Sequence, residues 1–449
     1  MTTNKRVNAN ASKLRMPRMV FNSIREIRTF AAFALKTPVS ILSILICITL
    51  FAACNSLTPA TPTANTLPPP SATPVIHPSP IPPTLVSPFL RMTNVQGFPE
   101  QSSISDLWIS PQGDLWVATN TGLYAKDAGQ NDNFSHIYNE PLKQIIGLQE
   151  DPYTIWALGA DGNTIHAFRG NRQWIVYGSN EGWDPLPNGV YNDTPAVTAD
   201  GTVWLATGRD ELRRFDPASG TWSTLRASDL GFAPADPNYQ GHYLTDAVVS
   251  PTGSLWVSDC IGMGDDFTGQ GVRYYRDGVW ESIPVTENQC VFEIERDVEG
   301  RMWVGGTSAI LVYDSVTGSW TDIPVPPWER RQYILHIAFA PSGHLWIGTL
   351  LCGGASCDTS AFFIRQDDQW LPLLDVTTYS WAAPYISFDS YQAAWACWEG
   401  VVYRQTTNGI TEIGALQTDL CMAIVDGSGT VWVVAFDGND VGLWEVDIP

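Results

Sequence analysis

Three polar residues recur at one position of a repeated pattern and could bind a metal ion. Each stands ten residues before a tryptophan and is followed by an apolar residue; they are Asp246, Glu293 and His336. The same column in the other units reads Asp106, Ile146, Thr194, Tyr385 and Met422. Carboxylate oxygens and an imidazole nitrogen bind divalent cations such as Ca²⁺ or Mg²⁺. The residues could also satisfy exposed backbone groups at a strand start, and the sequence leaves both interpretations open.

A second set of candidate residues mixes aromatic rings with carboxylates in long inserts. The inserts span residues 177–192, 226–243, 259–271, 325–333, 350–361 and 376–384. Their candidate ligand-binding residues are Trp183, Asp184, Tyr191, Tyr239, His242, Tyr243, Asp265, Asp266, Trp328, Tyr379 and Trp381. Rings beside carboxylates suit sugars, peptides or cationic ligands. The alternative interpretation is that these rings hold the loops against the fold.

No strong catalytic motif accompanies these residues. The sequence contains no nucleophile elbow and no phosphate-binding glycine loop, and Asp259 to Gly269 lacks the alternating acids of an EF-hand. We therefore expect no required cofactor, with a divalent cation held by Asp246, Glu293 and His336 as the alternative.

The tryptophans that mark this pattern belong to a repeat. Trp116, Trp156, Trp204, Trp256, Trp303, Trp346, Trp395 and Trp432 lie 37 to 52 residues apart, which indicates one supersecondary unit copied along the chain. In most units an apolar run meets a tight turn with glycine, as at Gly113 and Gly300, and a second run then carries the tryptophan. Two more short runs follow without a helix-length amphipathic segment. Four short antiparallel strands per unit predict the blade of a β-propeller.

Residues 89–449 are predicted to form an all-β, eight-bladed propeller that closes by strand exchange. The last unit ends one strand short, and an apolar stretch, Phe89 to Thr93, precedes the first unit. Pairing the two would complete the last blade and remove an open sheet edge. Seven blades is the alternative, if the unit around Trp156 or Trp395 is not a blade. Connections from second to third strands and from fourth to next first strands share one face, which carries the inserts and is called the long-loop face.

The first 88 residues predict an exported protein on a tether. Residues 1–53 combine eight basic side chains with an uncharged run of fifteen residues, Val39 to Ala53, which is typical of a secretory signal. The segment Phe51 to Cys54 resembles the lipoprotein box of bacterial lipoproteins, which implies a lipid on Cys54. An uncleaved N-terminal anchor is the alternative. Residues 54–88 are rich in Pro, Thr and Ser and lack charged side chains, so they predict a disordered tether.

Net charge argues against nucleic-acid partners. The whole chain carries a net charge of −21, and removing the eight basic side chains and one acid of residues 1–53 changes it to −28. Such a chain repels nucleic acid and anionic lipid head groups at close range. We expect a monomer that contacts the membrane only through its N-terminal lipid.

Six cysteines follow Cys54, and an even number in an exported protein predicts disulfides. Cys260 with Cys290, and Cys397 with Cys421, occupy places where two adjacent blades would meet. Cys352 with Cys357 would close a local loop. Free buried thiols are the alternative, and the spacing does not match a zinc site.

The repeat resembles a known propeller family. The pattern D-x-x-G-x-[LM]-W-[VI], followed by G-[LI]-x-x-[YF]-D, is clearest at Ser110 to Asp127 and Asp297 to Asp314. It is similar to the propeller repeat of two-component regulators, which implies an extracytoplasmic sensor-like propeller. A second resemblance is to the streptogramin lyases and related propellers, which implies a metal-dependent lyase or hydrolase.

These features favour a binding protein over an enzyme. We expect a lipid-anchored propeller outside the cytoplasm that binds an extracellular glycan, peptide or protein on its long-loop face, without a signalling domain of its own. A metal-dependent lyase or hydrolase with its site at the channel mouth is the alternative. A third possibility is a structural role in an envelope assembly. Fold alone does not decide between them.

Overall fold

The computed structural model describes residues 92–94 and 102–446, apart from 111, 129–133, 148–154, 170–172, 187–188, 190–194, 236–240, 264–265, 327–330, 354–355, 367, 375–385, 390, 392, 399, 407–408, 417–419 and 438–439. Helix within these residues is limited to three 3-10 turns, Ser179–Glu181, Ala227–Leu230 and Pro284–Thr286. None of these turns approaches the length that a bilayer requires. The predicted signal, Cys54 and tether lie outside the described residues.

The strands form eight four-stranded antiparallel sheets, which are the predicted blades. Blade 1 contains β2 (Ile104–Ile109), β3 (Leu115–Thr119), β4 (Gly122–Lys126) and β5 (Ser135–Tyr138). Blade 2 contains β6 (Leu142–Gly147), β7 (Ile155–Gly159), β8 (Ile165–Arg169) and β9 (Gln173–Tyr177). Blade 3 contains β10 (Ala196–Val197), β11 (Val203–Ala206), β12 (Glu211–Asp216) and β13 (Thr221–Arg226). Blade 4 contains β14 (His242–Val249), β15 (Leu255–Met263), β16 (Asp266–Arg276) and β17 (Val279–Ser282).

The second half of the ring repeats the arrangement. Blade 5 contains β18 (Glu293–Arg296), β19 (Met302–Gly306), β20 (Ala309–Asp314) and β21 (Ser319–Ile323). Blade 6 contains β22 (Arg331–Phe339), β23 (Leu345–Gly353), β24 (Ser356–Gln366) and β25 (Gln369–Leu374). Blade 7 contains β26 (Ile386–Phe388), β27 (Ala394–Trp398), β28 (Val401–Thr406) and β29 (Gly409–Ala415). Blade 8 contains β30 (Leu420–Val425), β31 (Val431–Asp437), β32 (Asp440–Val446) and β1 (Met92–Asn94).

Strand β1 closes the ring, as predicted. It pairs antiparallel with β32, and Met92 lies opposite Val446. Phe89 to Arg91, the first part of the predicted stretch, lie outside the described residues. Blades 2 and 7, the two uncertain units, are complete four-stranded sheets. The fold therefore has eight blades, and the seven-bladed alternative is wrong.

Glycines make the turns between first and second strands. The backbone φ is 87° at Gly113, 81° at Gly201, 82° at Gly253, 78° at Gly300, 84° at Gly343 and 85° at Gly429. This left-handed region is costly for residues with a Cβ, so glycine permits each tight turn. These turns lie on the face opposite the long-loop face, which is called the short-turn face.

The marker tryptophans fill the spaces between blades. All eight lie in second strands, and the seven other than Trp116 are at most 6% exposed. Trp156 contacts two rings of the next blade, with centroid distances of 5.1 Å to Phe215 and 5.3 Å to Trp222. Opposed residues on the third and fourth strands of blades 2 to 5 supply this aromatic pair. The four pairs are Phe168 with Trp174, Phe215 with Trp222, Tyr275 with Trp280, and Tyr313 with Trp320.

Disulfides join neighbouring blades, as the cysteine positions predict. Cys260 of β15 bonds to Cys290, which precedes β18, and Cys397 of β27 bonds to Cys421 of β30. Cys352 is also disulfide-bonded and lies opposite Cys357 in the β23–β24 pair. The side chain of Cys357 lies outside the described part of the chain, so its pairing stays a prediction.

Candidate functional site

Carboxylates on the innermost strands connect adjacent blades. The backbone N–H of Ile145 donates to Asp106 at 2.7 Å, and that of Ile294 donates to Asp246 at 2.8 Å. Each bond runs from the first strand of one blade to the first strand of the next. These contacts agree with the interpretation of the column as backbone acceptors, but the amides belong to the following blade.

A preceding hydroxyl completes the same connection in two blades. Ser105 donates to the carbonyl of Leu142 at 2.6 Å, and Thr245 donates to the carbonyl of Val291 at 2.6 Å. A Ser-Asp or Thr-Asp dipeptide therefore gives one donor and one acceptor to the next inner strand. The result is a polar bridge between sheets that otherwise meet through apolar side chains.

The register corrects one member of the column. In blade 1, Asp106 lies opposite Ala118, which is two residues after the marker Trp116. In blade 2, the residue two after the marker Trp156 is Leu158, and it lies opposite Gln144. Ile146 instead lies opposite Trp156. In the other blades the column residue stands ten residues before the marker tryptophan. In blade 2 the turn between the first two strands is two residues longer, so the equivalent residue is Gln144 and not Ile146.

Glu293 and His336 form a polar contact between blades 5 and 6. Glu293 Oε1 lies 3.3 Å from His336 Nδ1, and Glu293 Oε2 accepts the backbone N–H of Ile337 at 2.8 Å. Burial alone would lower the pKa of His336, but the charge and hydrogen bond of the Glu293 carboxylate outweigh it and raise that pKa. The pair therefore favours an imidazolium beside a carboxylate.

The described residues do not assemble a metal centre from the predicted ligands. No three His, Cys, Asp or Glu side chains are arranged to hold a metal ion in this part of the chain. The Asp246 carboxylate is 3% exposed as a residue and accepts the backbone N–H groups of Ala247 and Ile294. A metal ion held by Asp246, Glu293 and His336 stays a prediction.

Glu295, which the sequence analysis did not single out, has a strongly perturbed carboxyl. Burial, reinforced by the nearby carboxylates of Glu293 and Asp246, raises its pKa to about 8. Its spacing from Glu293 could have identified it in the sequence, because residues two apart on a strand face the same side of the sheet. A neutral carboxylic acid at pH 7 therefore lies beside the Glu293–His336 contact.

Replacing Glu295 with glutamine is expected to stabilise the protein at alkaline pH. The unfolded carboxyl ionises near 4.5 and the folded one near 8, so ionisation destabilises the fold as pH rises through this range. Because Glu295 is only half-buried by its surface, solvent relaxation discounts the effect to about 1 kcal/mol at pH 9. Urea unfolding at pH 5 and pH 9 measures it. Glu299→Gln, on the exposed turn of the same blade, is the control, and an equal change for Glu295→Gln at both pH values would contradict the assignment.

Two hairpins project from the long-loop face. Strands β15 and β23 each continue seven residues past their marker tryptophans, to Met263 and Gly353, whereas β19 of the intervening blade ends at Gly306, three residues past Trp303. At roughly 3.3 Å per residue, four more residues extend a hairpin by about 13 Å. Blades 4 and 6 therefore rise on either side of blade 5.

A separate apolar cluster supports the bases of these hairpins. Its buried members are Cys260, Cys290, Phe292, Tyr333, Leu350 and Cys352, with Tyr243 packed against them. The Phe292 and Tyr333 rings lie 5.8 Å apart, and the Cys260–Cys290 disulfide joins blade 4 to the segment before blade 5. The two projections thus stand on a rigid, cross-linked base.

Trp183 and Asp184 have structural contacts. Trp183 is 1% exposed, lies 5.0 Å from the Trp222 ring, and donates its indole N–H to the carbonyl of Gly162 at 3.2 Å. Asp184 accepts from Arg213 at 2.8 Å and from Thr224 at 2.9 Å. Trp183 is therefore not available as a surface ligand contact, and the alternative interpretation, that loop aromatics hold their loops down, describes it.

His242 lies at the start of β14, beside a buried acid. Its Nδ1 lies 2.9 Å from Asp259 Oδ1, and the two side chains are 8% and 0% exposed. The Phe232 ring lies 6.2 Å from the imidazole. Among the other candidates, Asp266 begins β16, while Tyr191, Tyr239, Asp265, Trp328, Tyr379, Trp381 and the side chain of Asp266 lie outside the described residues.

Among the solved structures that are similar to this chain, one supports the fold. The Dos1 propeller matches with a TM-score of 0.51 and 10% identity, over 79% of this chain and 95% of that one. The extracellular domain of the hybrid two component system BT3049 from B. thetaiotaomicron matches with a TM-score of 0.41 and 17% identity, over 75% of this chain and 51% of that one. The chain therefore spans about half the length of that domain. A catalytically inactive virginiamycin B lyase from Staphylococcus aureus, with Quinupristin, matches with a TM-score of 0.44 and 14% identity, over 80% and 99%.

Both groups that the repeat resembles are represented among these structures. No protein-family model and no curated protein matches the sequence. At 10% identity, the similarity to the Dos1 propeller describes the fold and leaves the ligand open.

Proposed function

We propose that this protein is a β-propeller binding protein that captures an extracellular glycan, peptide or protein partner on its long-loop face. In this proposal the signal exports the chain, a lipid on Cys54 anchors it to the bacterial membrane, and the tether carries the propeller away from the surface. The propeller acts as the ligand-capturing part of a sensor-like system.

The difference between the two faces carries the proposal. The long-loop face holds the projecting hairpins of blades 4 and 6, the Cys260–Cys290 disulfide and the three 3-10 turns. Glycines close the short-turn face with tight turns, at Gly253, Gly300 and Gly343 among others. Irregular segments on a rigid scaffold are where binding residues are usually placed.

The proposal is tested by presenting the labelled protein to panels of oligosaccharides, peptides and cell-surface protein extracts. We expect saturable binding to members of one panel. Replacing both Trp328 and Trp381 with alanine is expected to weaken that binding by about 10-fold or more, since aromatic anchors dominate such interfaces. Thermal unfolding of each variant confirms folding.

The matched control changes apolar residues on the short-turn face. Val298 and Tyr391 are 92% and 81% exposed, and serine at both positions is expected to leave binding unchanged. Binding that survives the double tryptophan replacement, or that is lost in the short-turn variant, would place the partner elsewhere. No binding in any panel would contradict the proposal itself.

A further inference from the structure

The space between blades 6 and 7 contains a half-open slot on the wall of the propeller. Trp346 and Phe362 of blade 6 form one side, and Tyr403, Gln405 and Ile410 of blade 7 form the other. The slot has about 290 Å³ of atom-free space when its open side is included. It is distinct from the long-loop face.

The slot exists because blade 7 lacks the aromatic pair found in blades 2 to 5. Gln405 and Ile410 are opposed on the third and fourth strands, in the positions that Tyr313 and Trp320 occupy in blade 5. There the two rings lie 5.6 Å and 5.8 Å from the marker Trp256. Glutamine and isoleucine are smaller and not planar, so the space beside Trp346 is left partly unfilled.

Two residues that line the slot each carry a buried polar atom without a hydrogen-bond partner among the described residues. The two atoms are the indole N–H of Trp346, a residue that is 6% exposed, and the side-chain carbonyl oxygen of Gln405. In blade 5 the corresponding indole N–H, that of Trp303, donates to Asp297 at 2.8 Å. Blade 6 has Ala340 six residues before its tryptophan, so that acceptor is missing. A buried donor and a buried acceptor without partners are each costly.

We propose that this slot binds one small molecule with a phenol-class aromatic ring. The ring replaces the missing aromatic pair against Trp346 and Phe362. A phenolic hydroxyl both accepts and donates a hydrogen bond, so it matches the indole N–H of Trp346 and the carbonyl oxygen of Gln405. A hydrocarbon ring would fill the space and leave both polar atoms unsatisfied.

Entry of the ring requires movement of one side chain. Without such movement the slot has room for little more than one water molecule. Ile410 lies on the outermost strand of its sheet and is partly exposed. Its rotation toward solvent opens the side of the slot on which a ring can lie.

The test uses 4-methylphenol as the probe, with toluene as the matched ring that lacks a hydroxyl. Calorimetric and ligand-observed NMR titrations of the full chain are expected to show saturable 1:1 binding of 4-methylphenol. For eight heavy atoms we expect a Kd on the order of 1 mM. Toluene is expected to bind about 5-fold more weakly, because it makes neither hydrogen bond.

Two variants separate the ring site from its polar groups. Gln405→Tyr combined with Ile410→Trp installs the pair of blades 2 to 5 and is expected to abolish binding. Ile410→Phe alone serves if the double variant does not fold. Gln405→Leu removes the carbonyl acceptor but keeps the indole N–H of Trp346, so its affinity for 4-methylphenol is expected to lie between those of the parent protein for 4-methylphenol and for toluene.

Each contrary result overturns the proposal. Absence of saturable binding, or unchanged binding in folded Gln405→Tyr/Ile410→Trp, would leave the slot as a space that holds only water. Equal affinities for the two probes in the parent protein would remove the phenol assignment. A crystal soaked in 4-methylphenol should show the ring against Trp346, and a water molecule alone at that place would contradict it.

Discussion

Replacing Asp389 with alanine is expected to lower the free energy of unfolding by about 3–5 kcal/mol. Asp389 is 2% exposed, and its carboxylate accepts from the indole N–H of Trp395 at 3.0 Å and from Arg404 at 3.0 Å. It also accepts the backbone N–H groups of Tyr391 and Ala393, each at 2.9 Å. Alanine leaves four donors without this acceptor, including the indole of a fully buried ring.

The same carboxylate contact recurs in two other blades. Asp297 accepts from Trp303 at 2.8 Å, and Asp426 accepts from Trp432 at 2.9 Å. Each acid stands six residues before its tryptophan and also accepts backbone amides of its own turn. The acid therefore fixes the short turn and the orientation of the marker ring together.

Blade 6 offers the reciprocal experiment. Ala340→Asp places the acid six residues before Trp346, where its indole N–H has no partner. We expect it to raise the urea midpoint by an amount equivalent to about 1 kcal/mol. Asp389→Ala should lower the midpoint in the same experiment.

The matched control is Glu299→Ala, which removes an exposed acid. Its contact with Arg301 is 2.8 Å long, but the Glu299 side chain is 63% exposed, so we expect a change of less than about 0.5 kcal/mol. If Asp389→Ala changed the midpoint no more than Glu299→Ala does, the carboxylate contact would not be a stabilising element.

The repeat could be predicted from sequence because one large residue and one turn residue recur in most copies. Tryptophan fills the space between sheets and glycine permits the turn, so their spacing alone gives the blades. The pairing of β1 with the last blade could be predicted because the last unit has only three strands in the sequence. The Asp–Trp contact was visible in principle, since Asp297, Asp389 and Asp426 share one offset, but half of the copies do not have an acid there.

Contacts between repeats were harder to predict. Trp183 looked like a ligand contact because it lies in a long insert, yet the carbonyl of Gly162 and the ring of Trp222, both distant in sequence, bury it. The slot beside Trp346 had a sequence signal in the change from an aromatic pair to Gln405 and Ile410. Recognising that signal required the strand register, which spacing between tryptophans does not fix.

The buried pair of His242 and Asp259 is expected to make stability strongly dependent on pH. Burial alone would lower the pKa of His242, but Asp259, Asp210 and the backbone of Ala233 outweigh it and raise that pKa. Burial raises the pKa of Asp259, although His242, the backbone of Gln270 and Arg273 oppose it. The contact therefore favours an imidazolium beside a carboxylate that has no second partner at Oδ2.

His242→Gln is expected to cost about 3–5 kcal/mol near pH 6, because it leaves the buried carboxylate of Asp259 without its counter-charge. The cost should shrink in acid, where Asp259 is protonated more easily. It should also shrink in alkali, because a raised histidine pKa contributes stability below about 6.5 that is lost as pH rises through the folded value. Urea midpoints at pH 4, 6 and 9 measure this profile.

The double variant His242→Gln/Asp259→Asn is the control that identifies the cause. Without a buried charge it is expected to recover most of the loss at pH 6, since a neutral amide pair carries no uncompensated ion. A His242→Gln cost that is the same at all three pH values, or that persists in the double variant, would mean that lost packing against Phe232 matters more than charge. If the double variant instead recovers the loss at pH 6, the charge of the His242–Asp259 pair sets the pH range over which the start of β14 is stable.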